Sequence, residues 1–201
     1  MGKSLIEIAK AVIQTEADSV LALKGRINND FEEVCNTLKE CTGKVVLVGM
    51  GKSGHIAKKI SSTLASTGTP SFYLHPGEAG HGDLGMVTDD DAVIMISYSG
   101  EADEIIALLP GIKRINVPLI SMTGNAKSSI AISSDYHIDV SVDKEACPNN
   151  LAPTSSTTSA LVMGDAIAVS LITANKFSSE DFAMSHPSGS LGRRLLTLVS
   201  S

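Results

Sequence analysis

Apolar side chains at Leu5, Ile8, Ala9, Val12, Ile13, Ala17, Val20 and Leu21 recur at helical spacing. Residues 4–24 therefore read as an amphipathic helix that stops near Gly25. A second helix is expected from Asp30 to about Cys41. The period then changes. Lys44 to Gly49 is a short, continuously apolar run with β-branched residues, the pattern of a strand buried on both faces. Four more such runs follow, at Ser71–Leu74, Ala92–Ser97, Pro118–Met122 and Tyr136–Val140. Helical patterns separate most of them: His55–Ser66, Asp103–Ile115 with a break expected at Pro110, and Ser128–Ser133. Ser155–Ala174 then reads as a long buried helix, followed by short ones at Ser179–Met184 and Ser190–Val199. Strand and helix alternating in this way predict an α/β three-layer sandwich, a five-stranded parallel sheet flanked by helices. Residues 1–201 read as a single domain, with 1–42 as a helical segment packed on it.

Composition narrows the function classes. A chain of 201 residues buries about 70% of its unfolded surface and needs neither disulfide nor structural metal to fold. Sixteen basic against twenty-two acidic side chains leave a net charge of −6, which argues against a nucleic-acid partner but allows a local basic pocket. An apolar fraction of 43% and a mean hydropathy of +0.17 exclude disorder. Leu161–Ala174 is the best approach to a membrane span, and Asp165 interrupts it, so no membrane role is expected. Aromatics are only 3%, leaving few platforms for stacked bases. Cys35, Cys41 and Cys147 are odd in number and lack CxxC spacing, which suits a reducing, cytoplasmic compartment.

Ligands of an open parallel sheet bind outside the carboxyl ends of its strands, where strand order reverses. Two loops there are rich in ligand-binding residue types. Gly49-Met50-Gly51-Lys52-Ser53-Gly54 offers glycines for close backbone approach, amides at a helix start and the Lys52 charge. It matches GxGxxG, yet the second strand ends in His75-Pro76 where a dinucleotide site wants an acid. Ser97-Tyr98-Ser99-Gly100-Glu101 places two hydroxyls and a glycine before another helix, a small phosphate cradle. In the flavodoxin-like strand order 2-1-3-4-5 these two loops are neighbours. The hydroxyl run Thr154 to Thr158 reads first as a helix cap, with more hydroxyls than a cap requires and so a hint of sugar contacts.

His75, Glu78 and His81 lie three apart and are suitable zinc ligands, but Pro76 and Gly77 argue against a helix that would align them. A catalytic metal is therefore not expected. His186 sits in the turn-rich Ser185-His186-Pro187-Ser188-Gly189, and Glu145 between Lys144 and Ala146.

The segments 49–87, 97–105, 144–166 and 185–194 together resemble the sugar isomerase (SIS) domain, and within it the D-arabinose 5-phosphate isomerases. HPGEAGHGDLGMV and KEACPNNLAPTSSTT are the most specific stretches. The resemblance implies reversible conversion of D-ribulose 5-phosphate to D-arabinose 5-phosphate, the first step toward the acid sugar Kdo of lipopolysaccharide and some capsules. It points to Lys52, Glu104, Glu145 and His186 as catalytically relevant. It further implies that His81 and the Gly68-Thr69 pair contact substrate, that Ser53, Ser97 and Ser99 hold the phosphate, and that His75 contacts an inhibitory zinc. No cofactor is implied, and the expected partners are the sugar phosphate and further copies in a homotetramer. Two departures stand out. The family's usual pair of cystathionine-β-synthase-type (CBS) domains is not in this sequence, and Ala102 replaces a Ser or Thr common in the serine loop.

Aldose–ketose isomerisation needs a base to carry a proton between C1 and C2, an acid for the oxygen protons and a cation for the developing oxyanion. Glu104 or Glu145 suits the base, its pKa raised by burial; His81 or His186 suits ring opening, and Lys52 the oxyanion. Glu104 is preferred because it follows the phosphate loop on the same helix. The competing function is a non-catalytic regulator that binds a sugar phosphate through the same fold, although residues 1–42 show no basic recognition helix.

Overall fold

Ser4 opens α1 (Leu5–Ala22) with a capping box: its hydroxyl accepts the Glu7 N–H at 3.2 Å, and the Glu7 carboxylate takes the Ser4 N–H at 2.7 Å. A 3-10 turn, Leu23–Arg26, leads to α2 (Asn29–Glu40), which Asn28 caps. The computed structural model describes residues 4–186. After α2 the chain alternates β1 (Val45–Gly49), α3 (Gly51–Ser66), β2 (Ser71–Leu74), α4 (Pro76–Ala79) and β3 (Ala92–Ile96). It continues through α5 (Asp103–Ile106), α6 (Leu109–Ile115), β4 (Leu119–Thr123), α7 (Ser129–Ser133) and β5 (Tyr136–Asp139). Two helices complete the described chain, α8 (Ser155–Ala174) and α9 (Ser179–Ser185).

The five strands are parallel in the order β2-β1-β3-β4-β5, so the expected architecture and strand order are both present. Every residue of β1, β3 and β4 is buried, as their unbroken apolar runs require. Successive side chains point to opposite faces. Val45, Leu47, Ile94 and Ile96 join Ile60 and Leu64 of α3 and Met163 and Ile167 of α8 in one core. Val46, Val48, Val93 and Met95 join Ile105, Ile112 and Ile130 in the other. Each fully buried Leu or Ile contributes about 1.5–3 kcal/mol, so the middle strands are the most strongly held part of the sheet.

Four expectations are corrected. The helix after β1 begins at Gly51, not His55, because its first turn lies inside the glycine-rich loop. The single helix expected over Asp103–Ile115 is two, and Pro110 lies in the first turn of α6, where its missing N–H is harmless, not at the break. A one-turn helix forms at Pro76–Ala79 despite Gly77, with Pro76 at its first position and His75 as its cap. Lastly, α8 is long and apolar enough, by composition alone, to cross a membrane. In this fold it is a core helix, with nine residues from Ser155 to Leu171 buried and Asp165 paired with Lys59 of α3. The helix expected at Ser190–Val199 lies outside the described residues.

Candidate active site

The carboxyl ends of β1 and β3 lie side by side and carry the two loops singled out above. Met50 is the N-cap of α3 without a side-chain bond, which leaves the first amides of that helix open toward solvent. Lys52 is exposed and Ser53 half-buried in its first turn. Tyr73 on β2 braces the loop by donating its hydroxyl to the Gly49 carbonyl at 2.9 Å. In the neighbouring loop, buried Ser97 accepts the Gly100 N–H and exposed Ser99 accepts the Glu101 N–H, each at 3.2 Å. Gly100 has φ +68°, and a β-carbon there would sit 2.0 Å from the Ser128 hydroxyl, so only glycine fits. Ala102 is the N-cap of α5 and supplies no side-chain bond. The hydroxyl missing from the serine loop is thus also a missing cap. Glu104 stands exposed in the first turn of that helix.

The third wall is the start of α8. A cavity of about 40 Å³ lies between Ser53, Tyr98 and Ser156, which brings α8 against both loops. Thr154 occupies the N-cap position, but its side chain makes no cap bond; the expected hydroxyl cap is replaced by a carboxylate. Oε2 of Glu145 accepts the Thr154 N–H at 2.8 Å, the Thr154 hydroxyl at 3.1 Å and the Ser156 N–H at 3.2 Å. Burial alone would push this carboxyl up. The Ser156 hydroxyl nearby and the amides of Thr154 and Ser156 outweigh burial and hold it below the usual carboxylate range. The raised pKa expected of Glu145 is therefore reversed, because the helix N-terminus favours the anion. Ser155 is fully buried one residue further on.

His75 and His81 follow β2 and so belong to the same edge, both exposed. The Nδ1 atom of His75 accepts the Gly77 N–H at 3.2 Å, so a zinc ion would meet only its Nε2. Among the described residues no three His, Cys, Asp or Glu side chains are gathered to hold a metal, so His75, Glu78 and His81 do not form the three-ligand set their spacing suggested.

Gly68 and Thr69 lie at the other edge. They precede β2, and Pro70 pairs with the start of β1 through the Val45 N–H at 2.8 Å. A five-residue strand at about 3.3 Å per residue separates them from the loop of Lys52. His186 shares that remote position. From its start at the site α8 extends about 30 Å, and the short turn and seven-residue α9 that follow cannot span the return. The His186 ring stacks on Phe182 at 4.0 Å, and its Nδ1–H donates to the Phe182 carbonyl at 2.9 Å, which leaves Nε2 as the ring nitrogen outside that bond. One chain therefore brings together Lys52, Ser53, Ser97, Ser99, Glu104, Glu145, Thr154, Ser155, His75 and His81, but not Gly68, Thr69 or His186.

Two participants escaped the sequence. Tyr98 takes the Val142 N–H on its hydroxyl at 3.1 Å and ties the serine loop to the chain leaving β5. Asn150 takes the Glu145 N–H at 2.7 Å and folds the loop that carries Glu145. The position of Tyr98 between Ser97 and Ser99 was the only signal for it; Asn150 had none.

A family model for the SIS domain matches residues 38–170. The arabinose 5-phosphate isomerase KdsD of Escherichia coli K12 is 57% identical over 194 residues, which is 96% of this chain and 59% of that protein. KdsD of Pseudomonas aeruginosa is also 57% identical, over 96% of this chain and 60% of its own length. The chain thus spans about three-fifths of the length of these curated relatives. The solved structure of Escherichia coli CFT073 c3406 in complex with arabinose 5-phosphate matches with a TM-score of 0.89 and 46% identity, covering 93% of this chain and 100% of that one.

Proposed function

The chain belongs to the SIS domain family, and from that premise we propose that it is an aldose–ketose isomerase converting D-ribulose 5-phosphate to D-arabinose 5-phosphate. The observation that carries the reading is the pairing of a cation with a hydroxyl cradle on adjacent strands: Lys52 after β1, Ser97 and Ser99 after β3. The substrate phosphate lies on Ser53, Ser97 and Ser99, and the sugar extends toward Thr154 and Ser155 at the start of α8. Lys52 stabilises the oxyanion of the enediol. Glu104, exposed beside the cradle, moves the proton between C1 and C2, and His81 assists ring opening. The product serves Kdo synthesis.

No cofactor takes part in this scheme, and zinc at His75 inhibits. His186 and the Gly68-Thr69 turn reach the site from a neighbouring copy within a homotetramer. Exposed apolar side chains on α1, among them Leu5, Ile6 and Ile13, support such an association. The free thiols Cys35, Cys41 and Cys147 support a cytoplasmic location. The test is incubation with D-ribulose 5-phosphate in metal-free buffer, followed by NMR. Appearance of D-arabinose 5-phosphate is expected. Binding without conversion would overturn the reading in favour of a sugar-phosphate-binding regulator.

A further inference from the structure

We propose that Glu145 is a positioning residue, the anionic cap that holds Thr154 and Ser156 at the mouth of the site, and not the carrier of the C1/C2 proton. The inference rests on the isomerase reading and assigns a role within it. Three donors converge on one oxygen of Glu145, two of them main-chain amides at the start of a twenty-residue helix. The loop behind the carboxylate is closed on itself. The Glu145 N–H donates to Asn150 Oδ1 at 2.7 Å, and the Ala146 N–H donates to the Thr154 hydroxyl at 2.9 Å. Thr154 therefore both donates to Glu145 and accepts from Ala146, which locks its rotamer. Swinging the carboxylate toward a substrate would leave those donors without partners, a loss of about 1–3 kcal/mol for each one buried.

What the clamp positions is the Ser156 side chain. Its hydroxyl is buried beside the Glu145 carboxylate without a hydrogen bond of ordinary geometry, and Ser156 lines the small cavity that Ser53 and Tyr98 also border. A buried hydroxyl left with so poor a bond is uncommon in folded proteins, and a hydroxyl of the sugar would satisfy this one. The charged groups around the clamp do not change its role. Lys144 adjoins Glu145 in the chain, Cys147 lines the same groove, and Glu16 of α1 takes the Thr158 hydroxyl at 2.8 Å one turn along α8. A carboxyl held below its usual range is also a poor match for abstracting a carbon-bound proton near neutral pH.

The experiment compares wild type with Glu145→Gln, Thr154→Val and Thr154→Ser, by pH–rate profiles and by amide hydrogen exchange at Ser156. A positioning role predicts that Glu145→Gln and Thr154→Val each lower kcat by no more than about tenfold and keep the acid limb of the profile. Thr154→Ser, which retains the hydroxyl, regains the rate lost in Thr154→Val. The Ser156 amide exchanges faster in Glu145→Gln than in wild type, a readout that needs no substrate. Loss of the acid limb in Glu145→Gln, with kcat down by about 10²–10⁴ as for a lost general base, would overturn the proposal. Unchanged exchange at Ser156 would overturn it as well. A wild-type chain without isomerase activity but with faster exchange in Glu145→Gln would remove the isomerase reading and leave the cap standing.

Discussion

The ring of Phe177 lies over Gly68 so closely that a β-carbon there would come within 2.3 Å of it. The contact joins the Gly68-Thr69 turn to the segment between α8 and α9, the segment that leads to His186. Both groups missing from the site of a single chain thus belong to one region, at the edge of the sheet remote from Lys52.

Complementation between inactive variants follows from that arrangement together with the proposed sharing of sites between copies. Lys52→Ala refolded with His186→Ala should regain activity, since some sites then combine an intact Lys52 with an intact His186. Lys52→Ala with Thr69→Val should do the same. His186→Ala with Thr69→Val should not, because both lesions lie on the same side of every shared site. Activity assays on mixed oligomers verified by mass spectrometry check this, and recovery in the third pair would place Thr69 and His186 in different sites.

Ala102→Ser should restore two things at once. A serine at the N-cap of α5 can accept the N–H of Glu104 or Ile105, worth about 0.5–2 kcal/mol. Its hydroxyl also adds to the proposed phosphate cradle, so KM for the sugar phosphate should fall. Thermal unfolding and steady-state kinetics read the two effects separately; a higher KM with unchanged stability would show that the alanine makes room for the ligand.

Acid sensitivity should trace to Asp91. Its buried carboxylate takes the Lys44 N–H at 2.6 Å, the Thr88 N–H at 2.9 Å and the Lys44 ammonium at 3.2 Å. Burial pushes the group up, but those hydrogen bonds and the ammonium hold it below its usual value. The sign follows: stability is fully present above the unfolded pKa and is lost as pH falls through the lower, folded one. Asp91→Asn must set its amide group against the Lys44 or Thr88 N–H. About 1.5–3 kcal/mol should be lost at neutral pH, with a flatter stability curve in acid, as denaturant titrations would report.

Exhaustive chelation should leave the rate intact or raise it, because in the proposed scheme Lys52 supplies the positive charge that enediol chemistry requires. Added zinc should inhibit wild type more than His75→Ala. Activity lost with chelator and regained with zinc would instead make the ion part of catalysis.

The sheet was legible because uninterrupted runs such as Val45–Gly49 and Ala92–Ile96 have no other comfortable home. The start of α3 was not, since Gly51 and Gly54 disfavour helix locally while packing against the end of β1 decides the matter. Strand order already implied that Gly68 and Thr69, standing before β2, would lie away from the carboxyl edge. Matching them to the motif by residue type alone concealed this. The cap of α8 was hidden for a different reason: Glu145 reaches it from nine residues upstream, beyond the reach of any local capping pattern.

The pairing of α3 with α8 also governs how the protein comes to be folded. The 88 residues from 67 to 154 separate the two helices that cover the middle strands on one face of the sheet. Until α8 has been synthesised, Leu47, Ile94 and Ile96 have α3 but lack the cover of Met163 and Ile167. Closing so long a loop is slow, and the uncovered strands invite association between nascent chains in the interval. Expression at low temperature or with chaperones should therefore raise the soluble yield far more for chains shortened before Ser155 than for the whole.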